Sequence, residues 1–313
     1  MIQLRIYRAE HKRQWDQFIS RSKNGTFLFC RDYMEYHADR FIDHSMLFFD
    51  TDQLIAVMPA NAEGDTLVSH GGLTFGGIIS DSKMKMTTML RIFDVLREHL
   101  LPFGLKRVIY KTIPHIYHHI PAEEDLYALF VHKAKLFRRD VSSTIFIPAK
   151  LGFSKGRRWC IKKGQTHGLT IKPSNDFDVF MAIDEQHLLH KHHKKPVHTA
   201  AEMSLLASRF PENIKLFAAY KAETMLGGVI VYEHRQVAHA QYIAARDEGK
   251  AIGALDVICD FLINDYYQAR GYFDFGISTD YESQYLDVNL IANKESFGAR
   301  TTVYDFYEIN LTS

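Results

Sequence analysis

Cysteine is scarce in this chain of 313 residues, acidic residues are almost missing from one stretch of it, and no long apolar run occurs. The three cysteines, Cys30, Cys160 and Cys259, are odd in number, far apart and without CxxC spacing. That excludes a disulfide framework and a cysteine zinc site, and reads the thiols as core residues in a reducing compartment. No apolar stretch approaches about 18 residues, the length that spans a bilayer. Met1 to Glu10 alternate apolar and charged side chains instead of placing a basic segment ahead of an apolar run. Neither a membrane span nor a signal peptide is expected, and the cytoplasm is the expected location.

The missing acids lie between Val131 and Lys172, where Asp140 alone faces Lys133, Lys135, Arg138, Arg139, Lys150, Lys155, Arg157, Arg158, Lys162, Lys163 and Lys172. A net charge of +1 hides this excess. The stretch reads either as a surface for an anionic ligand or as a solvated basic face. His187, His190, His192, His193 and His198 form a second local cluster, mixed with Lys191, Lys194 and Lys195. No cysteine or carboxylate stands at a closing spacing, so no metal is expected there, and His115, His118 and His119 are read the same way.

Apolar material is ample. Hydrophobic residues make up 46% and aromatics 13%, enough for packed cores, and 24% charged residues match ordinary globular usage. A chain of this length favours two domains.

Periodicity places strands at 45–49, 54–60 and 66–69, read as an antiparallel meander, then a helix over 82–101 with Met86, Leu90, Phe93, Leu96 and Leu100 on one face and Ser82 as its cap. A strand at 107–111, a helix near 123–133 and a strand at 143–147 follow. The second half repeats the order, with strands at 214–220, 226–232 and 237–245, a helix over 253–270, a strand at 273–276, a helix near 286–295 and a strand at 302–309. Helices at 12–20 in the first half, and at 177–190 and 199–210 in the second, open the two repeats. Thr199 and Glu202 make a T-x-x-E capping box, which marks one boundary sharply.

The ending Gly271-Tyr272-Phe273-Asp274-Phe275-Gly276, then Ser278, then Lys294-Glu295-Ser296-Phe297-Gly298-Ala299 and a closing aromatic strand through Tyr304, is similar to the carboxy-terminal pattern of Fem-type transferases. Asn24-Gly25-Thr26-Phe27-Leu28, Arg31-Asp32-Tyr33-Met34 and the glycine-rich Ser69 to Gly77 resemble the amino-terminal half of related GNAT proteins. The resemblance implies an α/β (α+β) fold of two tandem GNAT-like domains, each a mixed, mostly antiparallel sheet flanked by helices. The expected division is 1–147, 148–302 and a closing strand at 303–313, which in Fem-type architecture packs on the first domain.

Acyl transfer needs a polarised carbonyl, a nucleophile relieved of a proton and a protonated leaving group. In the GNAT plan the fourth and fifth strands splay apart, and the helix between them points its N-terminus at a pyrophosphate. Ala245 to Gly253 is the corresponding loop, so Arg246, Gly249, Lys250 and Gly253 are the coenzyme-binding candidates, against an ordinary strand-to-helix connection. Its glycines are spaced G-x-x-x-G, and Asp247 and Glu248 depart from the usual pattern. His70, Asp274 and Tyr281 are the catalytic candidates: His70 as a base titrating near neutrality, Asp274 as a strand-end carboxylate facing a cleft, and Tyr281 as the donor of a proton to a leaving thiolate. Arg31, Tyr242, Ser278 and Lys294 are the candidates for binding substrate.

The expected function is transfer of an acyl group from acyl-coenzyme A, a co-substrate and not a resident cofactor, to an amine of a polar metabolite such as an amino sugar or cell-envelope precursor. The Fem resemblance implies the alternative of an aminoacyl-tRNA donor and a cell-wall peptide acceptor, the one case in which nucleic acid is a partner. A non-catalytic binding protein with the same fold is the third reading.

Overall fold

The computed structural model describes residues 1–192, 195–280 and 285–312. The chain divides into two compact units, Met1–Asp140 with Val303–Ser313, and Val141–Thr302. Among the described residues no helix is long and apolar enough to cross a membrane.

The first unit runs β1 (Ile2–Ile6), α1 (Lys12–Arg21), α2 (Arg31–Met34), β2 (Ile42–Asp43), β3 (Met46–Asp50), β4 (Gln53–Met58), β5 (Asn61–Glu63), β6 (Thr66–Val68), β7 (Ile79–Ser80), α3 (Met86–Leu100), β8 (Arg107–Lys111) and α4 (Glu124–Val131). The division of the chain falls within β9 (Lys135–Phe146). The expected meander is broken after its first hairpin. β3 and β4 pair antiparallel, but Thr66–Val68 pairs instead with β5 and, in parallel, with β8. Pro59 follows β4 directly and has no N–H to continue a ladder, and Gly64, at φ +60°, supplies the left-handed turn that folds β5 onto β6. β15 (Arg300–Asn310) adds to the other edge of β8, with Phe306 opposite Lys111 and Asn310 opposite Arg107.

Helix α3 buries Met89, Ile92, Phe93, Leu96 and Leu100, a spacing of three and four that lays one face on the core of Phe48, Met58, Leu67, Val108 and Tyr110. It starts four residues later than the sequence suggests, with Lys85 as N-cap. Ser82 is held in a turn organised by Asp81, whose carboxylate accepts from Lys83 N–H and whose carbonyl accepts from Met84 N–H.

The second unit runs α5 (Lys155–Gln165), β10 (Thr170–Ser174), α6 (Phe177–His192), α7 (Ala200–Arg209), β11 (Ile214–Lys221), β12 (Thr224–Glu233), β13 (Val237–Ala245), α8 (Asp247–Ile252), α9 (Ala254–Phe261), β14 (Tyr272–Ile277) and α10 (Val288–Glu295). The capping box forms as read: Thr199 Oγ1 accepts from Glu202 N–H at 3.2 Å and Glu202 Oε2 from Thr199 N–H at 2.7 Å. The expected helix over 253–270 is two pieces, α9 and a π-helical turn over Leu262–Tyr266, and the separate short helix α8 precedes it. Helix α5 lies in the basic stretch, where periodicity places no helix.

β10, β11, β12 and β13 pair antiparallel in that order, β13 pairs in parallel with β14, and β14 pairs antiparallel with residues 142–146 of β9. One face carries the core of Phe217, Val229, Val231, Ala238, Phe273 and Phe275 under Ile258 and Leu262 of the α9 segment. Each unit thus contains one parallel strand pair with a helix in the crossover, β6–α3–β8 in the first and β13–α8–α9–β14 in the second. This shared motif is the structural content of the internal repeat.

Candidate active site

The parallel ladder of the second unit is short. Val237, Ala238 and His239 face Tyr272, Phe273 and Asp274, and no pair forms beyond them although β13 continues to Ala245 and β14 to Ile277. The strands therefore separate just past His239 and Asp274. A register shift opposite Ile230 and Val231, which leaves Gln241 as the extra residue of β13, adds local twist at the same place. Strands that part in this way leave backbone donors and acceptors along their facing edges for a ligand carbonyl or amide.

Asp274 sits at the apex, fully buried. Its Oδ1 accepts from Ser142 Oγ at 2.5 Å, Thr144 Oγ1 at 3.0 Å and Gly276 N–H at 3.3 Å. Its Oδ2 lies 2.8 Å from His239 Nδ1. The sequence places Asp274 facing a cleft, but it is His239, with 12% of its side chain exposed, that reaches the surface while the carboxylate stays behind it. Gly276, at φ +76°, lies against the imidazole: a Cβ there would be 3.3 Å from His239 Cε1 and 3.9 Å from Nε2.

Lys294 braces the same strand end. Its buried Nζ donates to Gly276 O at 2.9 Å and Ile277 O at 2.7 Å, and burial lowers it to about 8 against the upward pull of Asp274 and Asp287. Ser278 continues from β14, its N–H on Val141 O at 2.8 Å and its buried Oγ without a partner among the described residues. Tyr242, on β13 beyond the bulge, holds His198 Nδ1 at 2.5 Å through its hydroxyl. Asp274, Lys294 and Ser278 thus come together at the parting of β13 and β14, whereas Tyr281 and His193 lie outside the described residues.

Ala245 to Gly253 is not an open loop. Asp247–Ile252 is helical, and Gly253, at φ +80°, both ends α8 and starts α9. Gly249 is where α8 touches β12, since a Cβ would stand 2.4 Å from Leu226 O. Gly253 lies under α5, 2.9 Å from Cys160 O by the same measure. Arg157 pairs with Asp256 in the first turn of α9, and Lys163 donates to Ala251 O at 2.9 Å. Arg246 Nε is used on Met225 O at 3.0 Å, and Lys250 Nζ lies 3.0 Å from His187 Nδ1 and 3.1 Å from Asp247. Arg246 and Lys250 line one cavity of about 180 Å³ with Ile183, Gln186, His187 and His190.

The remaining two candidates belong to the first unit. His70 is buried in a left-handed conformation at φ +62°, stacked on His37 with ring centroids 5.5 Å apart, and burial lowers it to about 3. Lys111 Nζ ties the loop beneath it, donating to His70 O, Gly71 O and Leu73 O at 2.9, 3.3 and 2.7 Å. Arg31 is also buried, bonded to Asp43 at 2.5 Å and Glu35 at 2.9 Å and stacked 3.7 Å over Tyr7, which describes a structural ion-pair centre. His239 was missed by the sequence reading. The polar positions His239 and Gln241, alternating with Ala238 and Ala240, were the available signal.

Residues 153–285 match a family model described as an acetyltransferase (GNAT) domain. Among solved structures the chain is similar to FemX, with a TM-score of 0.68, 10% identity and coverage of 97% of this chain and 96% of that one. It is also similar to the carboxy-terminal domain of a candidate lysylphosphatidylglycerol synthetase from Agrobacterium fabrum, at TM-score 0.62, 12% identity and coverage of 96% and 92%. A tandem GNAT protein from the clavulanic acid biosynthesis pathway gives TM-score 0.53, 8% identity and coverage of 99% of each chain. No curated protein matches the sequence. The second unit is a GNAT acyltransferase domain, and the protein is an acyltransferase. Its whole length has the tandem GNAT fold of Fem-like proteins.

Proposed function

We propose that the protein transfers an aminoacyl group from its ester on tRNA to the amine of a polar acceptor in the cytoplasm. The observation that carries this reading is the closed start of α9. On the GNAT plan a coenzyme A pyrophosphate needs the free N–H groups of that helix start. Here the carbonyl of Cys160 stands against Gly253, and α8 fills the preceding turn. A carbonyl oxygen facing that point repels a phosphate. Asp256 in the first turn is neutralised only by pairing with Arg157. An ester donor places no pyrophosphate there, and the parted strands beside it still offer backbone groups to an acyl carbonyl. Similarity to FemX and to a protein named for joining lysine to phosphatidylglycerol agrees with an aminoacyl donor.

One observation favours the acyl-coenzyme A reading instead. The cavity lined by Arg246, Lys250, His187 and His190 sets two fixed cations against the single carboxylate of Asp247 and is of a size for one phosphate group. Filter retention of tRNA charged with a mixture of radiolabelled amino acids, beside calorimetric titration with acetyl-coenzyme A, separates the two. Retention of charged tRNA with no heat from millimolar acetyl-coenzyme A is the expected result. Micromolar acetyl-coenzyme A binding with no retention of charged tRNA overturns the donor assignment.

A further inference from the structure

We infer that His239 is the group that takes the proton from the acceptor amine, and that Asp274 positions it from behind. The inference rests on the transfer reading above, and it names the residue that does the chemistry at the same site.

The geometry is that of a held imidazole. Asp274 is fully buried, and three donors, from Ser142, Thr144 and Gly276, converge on its Oδ1. The other oxygen accepts as well, so His239 Nδ1, 2.8 Å away, carries a proton. In the neutral form of such a ring the lone pair lies on Nε2. Among the described residues this atom makes no hydrogen bond, and the glycine at 276 keeps its edge uncovered, since a side chain there would start 3.9 Å from it. A fixed tautomer and orientation are what a buried aspartate supplies to a histidine base in unrelated hydrolases.

Its place on the fold adds a second, independent reason. His239 and Asp274 are the last paired residues before β13 and β14 part. A carbonyl bound by the freed backbone just past this pair lies near the imidazole, and Lys294 fixes the end of β14 through the carbonyls of Gly276 and Ile277. An amine approaching that carbonyl passes the imidazole.

The step balances without any further reagent. The amine nitrogen bonds to the acyl carbon as Nε2 accepts its proton, the ester C–O bond breaks, and the ribose oxygen leaves with the proton returned from Nε2. The imidazole ends as it began.

The test has two readouts. Long-range proton–nitrogen NMR on histidine-labelled protein, with the His239 signals assigned by their loss in His239→Gln, is expected to show a proton on Nδ1 and a bare Nε2, and Asp274→Asn to disturb that state. A His239 protonated on Nε2 alone overturns the inference whatever the reaction. The second readout is acyl transfer to hydroxylamine, in parallel arms with mixed aminoacyl-tRNA and with acetyl-coenzyme A as donors. His239→Gln and Asp274→Asn should each lower the rate by about 10²–10⁴ with donor retention unchanged. Free imidazole should restore part of the rate to His239→Ala but not to Asp274→Asn. If Asp274→Asn fails to fold, Thr144→Val removes one support of the carboxylate and should lower the rate less, in the same direction. Wild-type turnover by His239→Gln in the active arm overturns the inference. Transfer in the acetyl-coenzyme A arm alone overturns the donor reading and leaves His239 to be judged in that arm, whereas inertness of the wild type in both arms removes the transfer reading and the role of His239 together.

Discussion

The carbonyl oxygen of Cys160 stands directly over Gly253: a Cβ on that glycine would lie 2.9 Å from it, in a residue whose φ is +80°. The contact joins α5 to the junction of α8 and α9. It makes two substitutions in neighbouring helices opposite in sign. Gly253→Ala meets a backbone atom that cannot rotate away and occupies a left-handed conformation, so it should cost about 1–3 kcal/mol. Gly156→Ala, in α5 with nothing within 4 Å of its Cβ position, should stabilise by about 0.5–1 kcal/mol through helix propensity. Urea unfolding of the two variants beside wild type reads both, and equal midpoints for Gly253→Ala and wild type would show that α5 does not sit on the junction.

Asp184 gives a pH dependence with a definite sign. It is buried on α6, one of its carboxylate oxygens has no partner among the described residues, and burial raises it to about 6 from an ordinary value near 3.8. Between those two values the folded chain holds a proton that the unfolded chain has lost. Stability from this group therefore falls as pH rises from about 4 to about 6, and stays lower above. Asp184→Asn should be more stable than wild type by about 1–3 kcal/mol at pH 7, and nearly equal to it at pH 4. Denaturant unfolding at four pH values between these limits checks it; a constant difference across the range would contradict the assignment.

Much of this architecture was legible from period and punctuation, and the places where the reading failed share a cause. Val237–Ala245 and Arg107–Lys111 have the bounds read from their alternation, and the Thr199–Glu202 box fixed a helix start. These signals are local. The third strand of the meander was misassigned because its partner is decided by Pro59 and by β8, some forty residues away. Helix α5 was hidden by its composition: Lys155, Arg157, Arg158, Lys162 and Lys163 read as charge, and its buried face is only Ile161 and Gly164. At the site, the F-D-F-G sequence pointed to Asp274, but nothing in the spacing of 35 residues says that His239 stands on the adjacent strand at the same level. Gly249 and Gly253 looked like phosphate-loop glycines because close backbone approach to a neighbouring element requires the same residue as close approach to a ligand.

Lys294 is predicted to hold the end of β14 in place. Its Nζ satisfies the carbonyls of Gly276, which is buried, and Ile277, which is half-buried, at the parting of the strands. Lys294→Met keeps the apolar stem and leaves both carbonyls without their donor, an expected loss of about 1–3 kcal/mol. Hydrogen exchange should quicken at Gly276, Ile277 and Ser278 before it quickens in β11 or β12. Uniform exchange rates across the second unit would mean that the lysine serves global stability only.

The glycine-rich loop of the first unit offers the same kind of test without any reaction. Lys111 Nζ spends its donors on three carbonyls of one loop, those of His70, Gly71 and Leu73, and it is itself buried, where desolvation and then Arg138 lower it to about 7. An ammonium in that position acts as an internal tie: it can be deep in the unit only because the loop closes around it, and the loop can adopt the left-handed turn at His70 only because the carbonyls are satisfied. Lys111→Met fills the same space and gives no donor. The loop should then open locally, exposing Leu73 and Phe75, which are buried in the wild type. Chymotrypsin should cut the variant within 73–75 under conditions that leave the wild type whole, while β3 and α3, whose apolar contacts do not involve Lys111, remain protected. An unchanged digestion pattern would show that the loop is held by its apolar contacts and that the lysine is tolerated there, not required.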